Sequence, residues 1–275
     1  VQEGAVPSVN QEQVASVELA LPPLPEQKKI AEILSGIDNT IDSANALIRK
    51  EVTALEAVLN DQISSIDPAW HKSASDMIAE DILLALKDGN HGEQYPRKSE
   101  FKRTGVPYLS ASSISDHGDI DLASCPRLSP ERSSAMRIPP AKGGDVILTH
   151  NASIGKVCII PPDVSSVVAS TSTTYYRVNE EYLMREFLAA TMISDFYQNQ
   201  LKRIMGQTTR NQVPITAQKE LILVAPPRES QAQISEIYSS LRSIRLGGIA
   251  KIRSLQALKT SISSDLLSGR KRVSI

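Results

Sequence analysis

"PPLPEQKKIAEIL" occupies residues 22–34, and residues 226–238 read "PPRESQAQISEIY". A shift of 204 positions, from 22 to 226, lays Pro22 on Pro226, Pro23 on Pro227 and Gln27 on Gln231. The same shift lays Ile30 on Ile234, Glu32 on Glu236 and Ile33 on Ile237. That is too many matches for a casual turn. A repeat at this separation predicts one supersecondary unit used twice, with a different kind of sequence between the copies.

A helical rhythm runs on from each copy. After Pro25, apolar or small residues fall at Ile30, Leu34, Ile37, Ile41, Ala44, Ile48, Leu55 and Val58. Those steps of three and four give the narrow stripe of a coiled-coil seam, interrupted at Glu51. Lys28, Lys29, Asp38, Asp42, Arg49 and Lys50 lie between. Prolines suit the entrance, where a fixed φ and a missing donor do no harm, and Asp67-Pro68 supplies the stop. The predicted first helix covers 26–67; about 40 residues would run roughly 60 Å. In the second copy Ile234, Ile237, Leu241, Ile244, Leu255, Leu258 and Ile262 keep the rhythm. Gly247 and Gly248 fall in its middle, each costing roughly 1 kcal/mol against alanine, so a kink or a close backbone approach is expected there. Gly269 suits the end, and the basic tail "RKRV" (270–273) follows. The second helix and tail thus occupy 228–275.

Residues 68–227 read differently. Short β-like runs alternate with turns: "GVPYLSAS" (105–112), "GDVILTH" (144–150), "GKVCIIPP" (155–162) and "SVVASTSTTYYRV" (166–178). One helical piece, "EEYLMREFLAATMISDFYQNQLKRI" (180–204), comes late. The prediction is an α+β domain with a curved, mostly antiparallel sheet, flanked by two long helices. The repeat also extends backwards: Gly4, Val6 and Pro7 match Gly206, Val213 and Pro214 with small gaps. Residues 1–25 are therefore expected to be the tail of a preceding domain, its last strand or two.

Composition narrows the function. Apolar residues make up 41% of 275, enough for a real core. Net charge is -1, so nucleic acid or membrane would have to be met by local patches. Aromatics at 4% argue against a broad base-stacking platform. Cys125 and Cys158 lack metal-ligand spacing and suit two reduced thiols in a cytoplasmic protein. No apolar run approaches the roughly 20 residues of a membrane span. The chain opens on Val1 without a signal peptide, which suggests a fragment or a processed piece.

A catalytic reading lacks its parts. There is no G-x-x-x-x-G-K-[ST] loop for an ATPase. A glycine-rich cofactor loop and an Asn/Asp-Pro-Pro-aromatic motif, as an adenine methyltransferase would need, are missing as well; "PPD" and "DPAW" are neither. A Ser/His/Asp triad drawn from abundant serines and four histidines would rest on abundance alone.

In this order and spacing the motifs resemble the specificity subunit of type I restriction–modification enzymes. The resemblance is carried by "PPLPEQKKI" (22–30), "PPRESQAQI" (226–234) with "LLSGRKRV" (266–273), and four stretches between them. Those are "DGNHG" (88–92), "GVPYL" (105–109), "GDVILTHNASIGKV" (144–157) and "GQTTRNQVPI" (206–215). It implies a target recognition domain reading half of a split DNA target, and two helices packed as an antiparallel coiled coil. It implies a non-catalytic subunit whose partners are double-stranded DNA, methyltransferase subunits and a restriction subunit. S-adenosylmethionine, ATP and Mg would belong to those partner subunits, with no cofactor or metal here. A full subunit has two recognition domains and this chain has one. It would be the C-terminal portion of a longer subunit, or a half-subunit that pairs with a second copy. The alternative is a coiled-coil scaffold whose globular domain binds protein.

Residue chemistry then selects the candidate DNA contacts. Phosphates take Lys, Arg, hydroxyls or backbone N–H groups, and base edges take bidentate Arg, Asn or Gln. Phe196 to Lys219 contains no acidic residue and carries Lys202, Arg203 and Arg210. Within it Gln207, Thr208, Thr209, Arg210, Asn211 and Gln212 form a polar turn that would equally suit a solvated loop. A second stretch offers Asn90, His91, Arg97, Lys98, Lys102 and Arg103, diluted by Glu93 and Glu100. His91 lacks neighbours for a metal role. A third set is His150, Asn151 and Lys156 on a turn, with Thr173 in a Ser/Thr run that could also be an edge strand.

Overall fold

The computed structural model describes residues 10–17, 21–206 and 211–274. The elements in chain order are α1 (Gln11–Ala15), α2 (Leu24–Ser64), β1 (His71–Ser73), α3 (Ala74–Ala79), β2 (Leu83–Asp88) and β3 (Val106–Leu109). Then come β4 (Arg127–Leu128), α4 (Pro130–Ser134), β5 (Val146–Thr149), β6 (Val157–Ile159), β7 (Val168–Ala169) and β8 (Thr173–Val178). The chain closes with α5 (Arg185–Ile193), α6 (Asp195–Gly206), α7 (Ile215–Glu220), β9 (Ile222–Val224) and α8 (Arg228–Leu267). It divides into two compact units, residues 48–247 and residues 1–47 with 248–275. Each long helix contributes one portion to each unit.

The Pro-Pro repeat is a helix entrance built twice. Gln27 Nε2 donates to Pro22 O at 2.7 Å, and Gln231 Nε2 donates to Pro226 O at 2.8 Å. Likewise Glu26 N donates to Pro23 O and Ser230 N to Pro227 O, each at 2.9 Å. The glutamine, five residues on, ties down a carbonyl that precedes the helix. A short helix also precedes each copy, α1 before the first and α7 before the second. The strand expected in the N-terminal tail would match β9 at residues 18–20, which lie outside the described residues, as do Gly4, Val6 and Pro7.

In the smaller unit the two helix portions run antiparallel. Lys259 Nζ bonds both Asp38 oxygens, at 2.6 and 2.8 Å, and Arg272 grips Glu26 through Nε at 2.8 Å and Nη2 at 2.5 Å. As one partner advances from 26 to 38 the other retreats from 272 to 259. Ile30, Ile41 and Ala44 are buried, with Leu34, Ile37, Leu255 and Ile262 half-buried. Leu258, expected in the seam, is 50% exposed. From Leu255 the inward face steps to Lys259, Ile262 and Leu266, so Leu258 lies about 70° from its centre.

In the larger unit the remaining portions keep the same antiparallel sense through an Arg245–Glu56 ion pair. Ile48, Leu55, Ile237 and Ile244 are half-buried. Leu59, Ile63, Ile234, Tyr238 and Leu241 are buried, and the first four of these join the main core cluster of the α+β domain. Val58, placed in the seam by spacing, is 46% exposed, and Leu59 points inward instead. α8 runs uninterrupted through Gly247-Gly248, and a Cβ at Gly247 would meet nothing within 4 Å. Neither glycine ends the helix, which continues through both.

The mostly antiparallel sheet expected from the sequence is present, divided among the described residues into three parts. The largest has the order β2-β8-β5-β6, all antiparallel. β4-β3-β7 forms the second, with β3 and β7 parallel, and β1 pairs with β9. β5 and β6 are buried on both faces, which is why they read as continuous apolar runs, whereas β2 exposes Leu84 and Lys87 at the sheet edge. The strand period of two sorts the side chains: Val146, Leu148, Val157, Ile159 and Tyr176 enter one core cluster, Ile147, Cys158 and Tyr175 the other. Neither Cys125 nor Cys158 is in a disulfide, and both are buried. The single late helix predicted at 180–204 is two, α5 and α6. Ser194 between them is extended, at φ -69 and ψ 157, and its buried hydroxyl donates to Thr191 O at 2.6 Å.

Candidate nucleic-acid interface

Alternating strand direction brings several chain ends to one rim of the four-stranded sheet. β2 ends there at Asp88 and β5 at Thr149, while β6 begins at Val157 and β8 at Thr173. β3 and β7, parallel to each other, deliver Ser110 and Ser170 beside them. Five polar segments therefore meet: 88–92, 110–113, 149–156, 170–173 and 211–213.

Their backbones are bonded to each other. Ser170 N donates to Leu109 O at 2.9 Å, and Ala111 N to Ser172 Oγ at 3.0 Å. His150 N donates to Ser172 O at 3.0 Å, and Val213 N to His150 O at 2.8 Å. Asn151 and Gln212 form a β-bridge, and Asn211 Nδ2 reaches Ala152 O at 3.1 Å. Ala152 sits at φ +65, a left-handed position that favours glycine, at the tip of this turn. Gly89 explains the "DGNHG" loop: a Cβ there would lie 2.0 Å from Ser170 O, so only glycine lets the two loops touch.

This geometry separates the candidate residues by direction. His91 is exposed and its Nε2 lies 3.1 Å from Asp88 Oδ2. Asn151 and Gln212 are half-buried and Asn211 is exposed, all at the rim. Lys202 and Arg203 are exposed on α6, whose Gln198 Nε2 donates to Gly155 O at 2.9 Å. Gln207, Thr208, Thr209 and Arg210 lie outside the described residues. Arg97, Lys98, Lys102 and Arg103 are all exposed. Arg97 and Lys98 follow the 92–95 turn, whereas Lys102 bridges Arg127 at the outer edge of the small sheet, beyond β4 and β3 from β7. Among the described residues none of Arg97, Lys98, Lys102, Arg103, Lys202 and Arg203 forms an ion pair.

Three candidates chosen by residue type face inward, which corrects the expectation that they reach outward. Thr173 is fully buried and its Oγ1 donates to Leu109 O at 3.1 Å. Asn90 braces residue 138 through both amide atoms, Nδ2 to Ile138 O at 3.2 Å and Oδ1 from Ile138 N at 2.9 Å. His150 is buried, with Nδ1 2.8 Å from Thr174 Oγ1, and burial pulls its pKa down to about 4 despite Asp88 nearby. These side chains build the platform. Lys156 is engaged too: its Nζ donates to Ile114 O and pairs with Asp116, both at 2.9 Å. That hydrogen bond holds the Asp116 carboxyl below its usual range. Sequence reasoning missed Ser110 and Ser112, hydroxyls at the rim linked to each other, beside Ser172 of the Ser/Thr run, which is linked to Ser170. Their clustering in "LSAS" and "STST" was the available signal.

A sequence model of the type I restriction modification DNA specificity domain matches residues 1–54 and 86–257. The chain belongs to this family. Within the type I specificity family, the MjaVIII specificity subunit of Methanocaldococcus jannaschii is 24% identical over 285 residues, 98% of this chain and 65% of the relative. Among solved structures, the type I S subunit from M. genitalium matches with a TM-score of 0.58 at 15% identity, over 89% of this chain and 61% of that one. The HsdS subunit of Thermoanaerobacter tengcongensis matches with a TM-score of 0.50 at 15% identity, over 98% and 65%. At that identity the likeness is one of fold. The chain spans under two thirds of the length of these relatives. Among the described residues no helix is long and apolar enough to cross a membrane.

Proposed function

We propose that the chain is the sequence-specific DNA-recognition subunit of a type I restriction–modification system. The observation that carries this reading is the rim: five polar segments converge at one end of the four-stranded sheet, flanked by exposed cations. Such a surface suits a major groove, where backbone contacts position and side chains read base edges. In this reading the chain performs no chemistry. It directs methyltransferase subunits, which use S-adenosylmethionine, and a restriction subunit, which uses ATP and Mg, to a split target. The paired helices set the distance to a second recognition domain, on a longer chain or a second copy.

The test is duplex binding by the full chain across salt. With about four phosphate contacts, affinity falls on the order of a hundredfold between about 50 and 200 mM salt. Binding that is absent, or indifferent to salt, would favour a protein-binding scaffold.

A further inference from the structure

The segment after the 88–92 loop holds an aromatic side chain that the surface described above leaves unassigned. Tyr95 is 51% exposed, yet its backbone is tied on both sides. Its N–H donates to Gly92 O at 3.0 Å, and Arg132 Nη2 donates to Gln94 O at 3.1 Å. Pro96, next in the chain, is buried. Arg97 N donates to Glu100 Oε2 at 2.6 Å, and Arg132 Nε to Glu100 Oε1 at 2.5 Å. Together they hold the Glu100 carboxyl below its usual range.

The Tyr95 ring stands edge-on to Tyr108, with centroids 6.5 Å apart and planes at 88°. Tyr108 lies in β3, one residue before its rim end. Burial pushes the Tyr108 hydroxyl above the ordinary phenol range, with Tyr95 and the backbone of Thr171 beside it. Thr171 belongs to the 170–173 rim segment, so Tyr95 is fixed at the rim's border. Arg97 and Lys98, both exposed, follow two and three residues on, after Pro96.

A tyrosine pre-positioned in this way presents contact area at small entropic cost. Against an intact duplex an apolar ring has few partners. Wedging between base pairs demands unstacking. Among base edges in the grooves, the apolar group on offer is the C5-methyl of thymine in the major groove. We propose that Tyr95 reads one thymine methyl in the target half-site, flanked by phosphate contacts from Arg97 and Lys98. This rests on the DNA-recognition reading above.

The experiment begins with duplexes recovered by the unaltered full chain from a pool with a randomised centre. Each thymine of the recovered motif is then replaced singly by deoxyuridine, which removes only the methyl. The expected result is one position where replacement weakens binding about fourfold, the worth of one buried methyl group. That ratio falls to about one in Tyr95→Ala and persists in Tyr95→Phe. Lys98→Ala weakens both duplexes alike. A purely structural role for Tyr95 would leave the ratio at about fourfold in Tyr95→Ala and overturns the inference, as does a motif in which no thymine responds. If the unaltered chain recovers no motif, the recognition reading itself fails, visibly before any variant is made, and this inference with it.

Discussion

Gln27 and Gln231 hold equivalent places in the repeat and bond the same preceding carbonyl, but only one of them is enclosed. Gln231 is fully buried, accepts from Met184 N at 2.8 Å and donates a second bond to Tyr182 O at 2.8 Å. Gln231→Ala leaves those buried groups unpaired and should lower stability by about 2–4 kcal/mol, whereas Gln27→Ala should cost about 1 kcal/mol. Urea unfolding of both variants checks the difference. His150 supplies a pH signature. Its pKa is about 4 in the folded chain against 6.5 ordinarily. Between those values the unfolded chain binds the extra proton, so stability falls as pH drops from about 6.5 towards 4 and is unaffected well above 6.5. The full effect is at most about 3 kcal/mol. His150→Gln should flatten the curve of Tm against pH between about 5 and 6.5; an unchanged slope would place the titration elsewhere. Residue type announced that Asn90, His150 and Thr173 could hydrogen-bond. It could not announce that their partners would be other groups of the protein itself.

At the scale of elements, the three-four rhythm located both long helices and their antiparallel pairing was implied by family likeness. The phase drifted where a straight count ran on. Val58 and Leu258 fit a three-four step but lie off the inward face, which passes through Leu59 and Lys259. Ile41→Ala, at a buried seam position, should cost about 2–4 kcal/mol, while Leu258→Ala should stay within about 0.5 kcal/mol. Thermal melts followed by circular dichroism at 222 nm compare them; equal destabilisation would restore Leu258 to the seam. The break at Ser194 was illegible because nothing in "MISDFY" forbids a helix. It follows from packing, since α5 lies largely in the core and α6 turns one face to solvent.

For the whole molecule the net charge of -1 concealed its distribution. Replacing Arg97, Lys98, Lys202 and Arg203 together by alanine should make the slope of log affinity against log salt shallower, by about 0.9 for each phosphate that is no longer neutralised. Replacing Lys102 and Arg103, at the outer edge of the small sheet, should leave the slope unchanged. A duplex titration of both variants at several salt concentrations decides between a rim footprint and a diffuse one.

The sequence by itself determined the repeat, the two helices, the α+β domain between them and the family. Those rest on periodicity and on short-range motifs, such as a proline pair answered by a glutamine five residues later, which act within a turn or two of the chain. Only the tertiary structure decided which polar side chains face outward. Direction depends on strand order and on partners up to 64 residues away, such as Leu109 O for Thr173. No local pattern encodes a hydrogen bond across that distance, so the same residue types serve as platform at Asn90 and His150 and as candidate contacts at Asn211 and Arg203.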